Sequence, residues 1–143
     1  MSNAEHIASV LGGEKVLGMQ VNTLAQLEAL VSKGLPKESL RSAARRVAGN
    51  RSEVRAIIHQ FVPESTFKRR GPLSAQASER AERLARIVSL AEHTWGDTAL
   101  AHEWLRTPNR HLDDRSPLQA TRTELGARQV ELVILRAVHG IPD

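Results

Sequence analysis

The stretch from Ser52 to Arg70 holds the residues of this chain best suited to recognising a polyanion. Ser65 and Thr66 place small hydroxyls at the start of a short segment, and Lys68, Arg69 and Arg70 close it with cations. Hydroxyls at a helix start can approach phosphate oxygens, and an arginine guanidinium can pair bidentately with guanine in the major groove of DNA. Phe67, between the two groups, reads as the inward residue that holds the segment on its neighbours. Upstream, Arg45, Arg46, Arg51 and Arg55 are candidates for contacts to the sugar-phosphate backbone. The apolar stripe Val54, Ile57, Ile58 and Phe61, a tight restart at Val62-Pro63 and a short helix expected over Glu64 to Arg70 together make a helix-turn-helix pattern. A solvated, arginine-rich helical surface would give the same spacing.

Catalytic and metal-binding patterns are weaker. His102-Glu103 begins like a metalloprotease helix, but Arg106 stands where the second histidine would be needed. His93 and His139 read as surface or cap residues. Gly12-Gly13 lacks the further glycine and the Lys-Ser/Thr pair of a phosphate loop, and Asp113-Asp114 sits beside Arg110 and Arg115 as a charge-balanced turn. With no cysteine in the chain, disulfides, thiolate metal sites and cysteine nucleophiles are excluded. No catalytic residue, metal site or cofactor is expected.

The last third carries a different signal. Both tryptophans, Trp95 and Trp104, lie there, followed by Pro108-Asn109 and Ser116-Pro117-Leu118. At least one of the two rings is expected in the core, since burying so large a side chain is a major source of stability. Leu132, Val133, Ile134 and Leu135 are consecutive on the final helix, so they point all round it. One face is therefore left over for a partner.

Charge is unevenly spread. The net charge is +4, yet between Arg41 and Arg86 eleven lysines and arginines face four acidic residues, an excess of +7, while the flanking segments 1–40, 87–94 and 95–143 each come to −1. A basic middle suits a module that binds a polyanion. Hydrophobic content of 41% and charged content of 25% are ordinary for a globular protein with a real core. No apolar run reaches the roughly 18 residues of a membrane span, no secretory signal is visible, and the cytoplasm is the expected location.

Helical spacing runs almost throughout. Ala4, Ile7, Ala8 and Leu11 form a first stripe ended by Gly12-Gly13, and Val16 to Val21 reads as a short extended piece. Thr23 to Gln26 is a capping box opening a helix that Gly34 stops, and Pro36 suits the first turn of the next, which carries Leu40, Ala43, Ala44 and Val47. Ser74 caps the longest helix, with Ala77, Ala81, Leu84, Val88 and Ala91 on one face. Asp97 caps a helix to Leu105, residues 106–115 read as polar loop, Ser116-Pro117-Leu118-Gln119 is a second capping box, and Thr123 caps a final helix stopped by Gly140. The fold class is all-α.

The order of these features resembles the Xre/MbcA/ParS antitoxin family. Leu11-Gly12-Gly13, Gly34-Leu35-Pro36, Thr66 to Arg70, Leu73-Ser74, and Ser78-Glu79-Arg80 with Arg83 look like the Xre-type N-terminal part. Ala91, Trp95, Ala99, Trp104-Leu105, Pro108-Asn109, Leu112, Pro117-Leu118, Thr123, Gly126, Val130, Leu135 and His139-Gly140 look like the toxin-binding part. One departure is the loop before Ser116-Pro117, where relatives tend to carry a glycine turn and this chain has Asp113-Asp114-Arg115.

The resemblance implies a helix-turn-helix part over residues 1–94 for DNA binding and dimerisation, and a small helical toxin-binding domain over 95–143. It implies a non-enzymatic type II antitoxin that neutralises a cognate RES-domain toxin, an enzyme that degrades NAD, and represses its own operon as a homodimer on operator DNA, with no membrane involved. Its toxin-binding residues would be Trp95, Trp104, Pro108, Asn109, Leu112, Leu132, Val133, Leu135, Arg136, His139 and Gly140, together with Ile141, Pro142 and Asp143 as an anionic tail able to enter the toxin's pyrophosphate site. The other reading is a stand-alone helix-turn-helix regulator whose C-terminal domain senses a small molecule.

Overall fold

Side-chain caps decide where most of these helices begin. Thr23 accepts from the Gln26 amide while the Gln26 side chain reaches back to the cap backbone, and Ser116 and Gln119 repeat the device. Asn50, Ser74, Asp97 and Thr123 each accept from the amide three residues on. Each such bond satisfies a donor that a helix start leaves open. The computed structural model describes residues 2–140. Ile141, Pro142 and Asp143, which carry the expected anionic tail, lie outside the described residues.

The helices are α1 (Asn3–Val10), α2 (Gly13–Leu17), α3 (Leu24–Lys33), α4 (Lys37–Val47), α5 (Arg51–Phe61), α6 (Glu64–Phe67), α7 (Ala75–Trp95), α8 (Thr98–Arg106), α9 (Pro117–Ala120) and α10 (Glu124–His139), with a short 3-10 turn at Arg110–Leu112. Among the described residues there is no strand, only an isolated antiparallel bridge between Asn109 and Arg115. The chain is all-helical, as its spacing predicts.

Helix α7 is the axis. Helices α1, α3, α4, α5, α8 and α10 all pack against it. Small buried residues along it, Ala77, Ser78, Ala81, Ala85, Ser89 and Ala91, let several helices approach closely, and Leu84, Ile87 and Val88 fill the space between. The turn between α3 and α4 docks on its start: Leu35 donates its amide to Ser78 Oγ at 2.7 Å, and Leu73 donates to the Leu35 carbonyl at 2.9 Å. Gly34 is required in that turn, with φ of 110° and the Leu73 carbonyl oxygen 2.5 Å from where a Cβ would sit.

Four local expectations change. Residues 16 and 17, read as extended, belong to α2, because buried Leu17 completes a helical turn against the core. Of residues 106–115, read as polar loop, Arg106 still belongs to α8 and Arg110–Leu112 form the 3-10 turn, anchored by fully buried Leu112. Asp113 and Asp114 both adopt left-handed backbone, φ 57° and 62°, a conformation glycine more commonly supplies. The short basic helix expected to reach Arg70 ends at Phe67. The chain must turn at Gly71 (φ 85°) to bring Leu73 to Leu35, and the Lys37 ammonium takes the Arg69 carbonyl that the shortened helix leaves open. Lys68, Arg69 and Arg70 therefore lie on a turn.

A buried carboxylate ties this assembly together. Glu92 of α7 is 5% exposed. Arg46 of α4 grips it with Nε and Nη2 at 2.7 and 2.8 Å, and the Nε2 atoms of His6 (α1) and His102 (α8) lie 2.9 and 2.6 Å from its oxygens. An ionised carboxylate only accepts, so both rings carry their proton on Nε2. Burial pushes the Glu92 carboxyl up, but the hydrogen bonds from Arg46, His102 and His6 outweigh it and hold the group down to about 2.

Two predictions follow from this packing. Because the folded-state value of Glu92 lies below its ordinary value of 4.5, its stabilisation is complete above about pH 4.5 and is lost as pH falls towards 2. Glu92→Ala leaves half-buried Arg46 without its counter-ion; solvent reaches that guanidinium, so the loss should be about 1–3 kcal/mol at neutral pH. Urea midpoints of wild type and variant should converge as the pH falls from 7 to 3, and a gap independent of pH would contradict the assignment. Second, a Cβ at Gly126 would sit 1.8 Å from the Ala120 carbonyl oxygen. Gly126→Ala must therefore push α10 off α9 and should lower stability by about 1–3 kcal/mol, read as a fall in thermal midpoint.

Candidate functional site

Helices α4, α5 and α6 enclose an open groove of about 770 Å³. Its rim is cationic, with Arg41, Arg45, Arg51, Arg55 and Lys68, and its floor is apolar, with Val54, Ile58 and Phe67. The amphipathic spacing of α4 and α5 produces this. Ala43, Ala44 and Val47 of α4 and Ile57, Ile58 and Phe61 of α5 face the core, so Arg41, Arg45, Arg51 and Arg55 are turned outward.

Phe67 is buried as expected, and it organises the groove. Arg41 lies with its guanidinium carbon 4.9 Å from the ring centroid, Lys37 with its ammonium at 5.8 Å, and His59 meets the ring edge-on at 6.1 Å. Glu38 accepts from Arg41 at 3.1 Å and from Arg45 at 2.8 Å, and Glu64 pairs with Lys68 at 3.0 Å. Partial burial works to raise the Glu38 carboxyl, but the hydrogen bonds from Arg41 and Arg45 leave it below its ordinary value. Arg51, Arg55, Arg69 and Arg70 are exposed, and their side chains have no hydrogen-bond or ion-pair partner among the described residues.

Most of the cationic set read from the sequence thus converges on one surface. Arg45, Arg51, Arg55 and Lys68 line the groove, Ser65 is exposed on α6 beside it, Thr66 is half-buried, and Arg69 and Arg70 project from the turn that follows. Arg46 does not join them, because the Nε–Nη2 edge of its guanidinium is turned inward onto Glu92. Sequence reasoning passed over Arg41. Its signal was its place one helical turn before Arg45, on the same face of α4.

The second surface lies between α7 and α10. Leu90, His93, Thr94, Arg128, Glu131, Leu132, Ile134, Leu135 and Val138 line an apolar groove of about 660 Å³. The run of four apolar residues divides as helical geometry requires: Ile134 enters the core, Val133 is partly buried, and Leu132 and Leu135 are 51% and 49% exposed. Val138 is 57% exposed, and Arg136, His139 and Gly140 continue the exposed end of α10. Neither tryptophan is fully buried. Trp95 and Trp104 stack on each other, centroids 4.6 Å apart and planes tilted 33°, on the edge of the core. Pro108 is exposed, Asn109 caps the 3-10 turn by accepting from the His111 amide, and Leu112 is sealed beneath that turn. Asn109 and Leu112 therefore shape the loop from within.

The two surfaces share a frame. Arg46, Glu92 and His102 link α4 to α8 through α7, Arg106 of α8 lies 3.7 Å from Glu53 of α5, and Gln60 of α5 donates to the Leu118 carbonyl of α9 at 2.5 Å. Among the described residues no cluster of three histidine or acidic side chains is placed to hold a metal ion. Cations, hydroxyls and exposed apolar carbons are equipment for recognition.

Two family domains match the chain one after the other. The antitoxin Xre-like helix-turn-helix domain matches residues 26–86, and the antitoxin Xre/MbcA/ParS C-terminal toxin-binding domain matches residues 90–140. A protein named antitoxin Xre from Pseudomonas putida is 33% identical over 85 residues, which cover 57% of this chain and 54% of that protein. Another antitoxin Xre, from Yersinia enterocolitica, is 34% identical over 85 residues, covering 56% and 57%. The chain thus spans just over half the length of the curated relatives it matches. With one family domain ending and the other beginning inside the same long helix, the chain belongs to the Xre/MbcA/ParS antitoxin family.

Proposed function

We propose that this protein is the antitoxin of a type II toxin–antitoxin pair, and that its two surfaces divide the work. The exposed face of α10 and the adjoining α7 groove bind and neutralise a cognate RES-domain toxin that degrades NAD. The basic groove and the turn at Lys68 to Arg70 bind operator DNA, on which a two-fold dimer represses the operon. The protein itself acts by binding, without catalysis. The observation that carries this reading is the pairing of an exposed cationic surface with an exposed apolar helix face in a chain to which both family domains align. Leucines exposed to about half their area favour a protein partner. The cationic surface favours a polyanion.

Arg69 and Arg70 are exposed on the turn after α6 and their side chains have no hydrogen-bond or ion-pair partner among the described residues, so they are assigned to base contacts, and Arg45, Arg51 and Arg55 to phosphates. Losing a bidentate arginine–base contact costs about 1–3 kcal/mol of discrimination. Arg69→Ala combined with Arg70→Ala should abolish the gel shift of the protein's own promoter fragment while leaving the helical circular-dichroism spectrum unchanged. Unchanged promoter affinity in that double variant would remove this turn from the interface.

The two activities should also separate by point mutation. Leu132→Asp with Leu135→Asp sets two charges into the apolar face, where central contacts are worth about 2 kcal/mol or more each. This variant should lose co-purification with the toxin encoded beside it, and lose growth rescue, yet still shift promoter DNA. The Arg69/Arg70 variant should do the reverse. A stand-alone regulator would instead show no toxin partner, and a metabolite seated in the α7/α10 groove would change its DNA affinity.

A further inference from the structure

Two arginines of the groove that the proposed function assigns to DNA, Arg41 and Arg45, are tied to a carboxylate beside it, that of Glu38. Both carboxylate oxygens of Glu38 are engaged: Oε2 accepts from Arg41 Nη1 at 3.1 Å, and Oε1 accepts from Arg45 Nη1 at 2.8 Å. Arg41 is pinned on its other side by the Phe67 ring. A carboxylate that takes one guanidinium on each oxygen makes the same contacts as the two free oxygens of a phosphodiester. Arg51 and Arg55, on the opposite wall, carry no such counter-ion among the described residues.

We propose that Glu38 is an intramolecular competitor for phosphate, so that a DNA strand enters the groove only by taking Arg41 and Arg45 from it. The proposal rests on the DNA-binding reading of the groove. Its consequence is a built-in threshold. With Glu38 in place the trio of Glu38, Arg41 and Arg45 offers DNA one net positive charge, and without the carboxylate it offers two. Weak, non-specific encounters that neutralise few phosphates are disfavoured most. A site that engages the whole groove can still displace the carboxylate.

The opposing account makes Glu38 a positioning residue that holds the two arginines ready. Magnitudes separate the accounts. The Glu38 and Arg45 side chains are 41% and 60% exposed, and exposed pairs of this kind hold their side chains only weakly. Removing an anion from a phosphate-binding surface acts through counter-ion release instead, and steepens the fall of log K with log salt by about 0.9 per charge.

The test is titration of wild type, Glu38→Gln and Glu79→Gln with a random-sequence DNA duplex over a range of salt, followed by fluorescence anisotropy. Glu79 is exposed on the rim of a separate hollow between α1, α3 and α7, so its replacement makes the same change in net charge away from the groove. Glu38→Gln should steepen the salt dependence by about 0.9 and, if the curves meet near 1 M, bind about eightfold tighter near 0.1 M salt. Glu79→Gln should stay close to wild type. Weaker binding by Glu38→Gln would establish positioning in place of competition, and equal gains in both variants would reduce the effect to net charge. Either result overturns the proposal while leaving DNA binding intact. Failure of all three proteins to bind DNA at any salt would remove the DNA-binding reading itself, and the competitor with it.

Discussion

Glu92 is the constraint on which the arrangement of helices depends. A carboxylate removed from water is tolerable only if its lone pairs are filled, and here the donors come from three other helices. Arg46 supplies two of them with a planar fork that fits the carboxylate in one orientation. That geometry fixes the rotation of α4 about its own axis. With Arg46 and the apolar residues turned inward, Arg41 and Arg45 are forced outward onto the wall of the basic groove. On the other side, His102 fixes α8 against α7, which sets Trp104 beside Trp95. A single buried charge therefore orients side chains belonging to both surfaces.

Much of this was legible in the sequence, because the signals were local. A threonine or serine followed by glutamine three residues on opens α3 and α9, and serine, aspartate and threonine caps open α7, α8 and α10. What escaped was set by residues far apart in the chain. His6, Arg46 and His102 lie 86, 46 and 10 positions from Glu92, so no spacing rule could join them. The one local hint was an acidic residue in a stretch of α7 otherwise apolar or small. The early end of α6 has the same origin, since the contacts that bend the chain after Phe67 come from Lys37 and Leu35. At Asp113 and Asp114 the composition gave no sign of left-handed backbone. The need for it arises from closing the Asn109–Arg115 bridge over buried Leu112.

The long helix also explains how two surfaces of such different chemistry are built on one frame. The matched family domains end at residue 86 and begin at residue 90, both within α7, so neither has a complete core without that helix. Its first turns hold the α3–α4 turn through Ser78, and its last turns hold α8 and the tryptophan pair. Between them, Arg86 reaches Glu124 at 3.2 Å and Glu131 at 3.7 Å, while Arg83 donates to the Arg122 carbonyl, which brings α10 alongside. A shared helix of 21 residues is a stiff connection, unlike the polar linker usual between independent modules.

The two surfaces face opposite hazards, and the protein handles each with its own side chains. A wall of arginines attracts every polyanion it meets, and Glu38 and Glu64 answer that by pairing with Arg41, Arg45 and Lys68 in the free protein. An exposed row of leucines invites self-association, and α10 answers that by setting Arg128 and Glu131 along the apolar groove, with Glu131 tied back to Arg86. On α10 that charge is held from α7 by Arg86, whereas Glu38 and Glu64 are held locally, by the cations they pair with. On the proposed reading, a partner at either place has to displace or accommodate that charge, which would select for matching shape and sign over anything merely anionic or merely greasy.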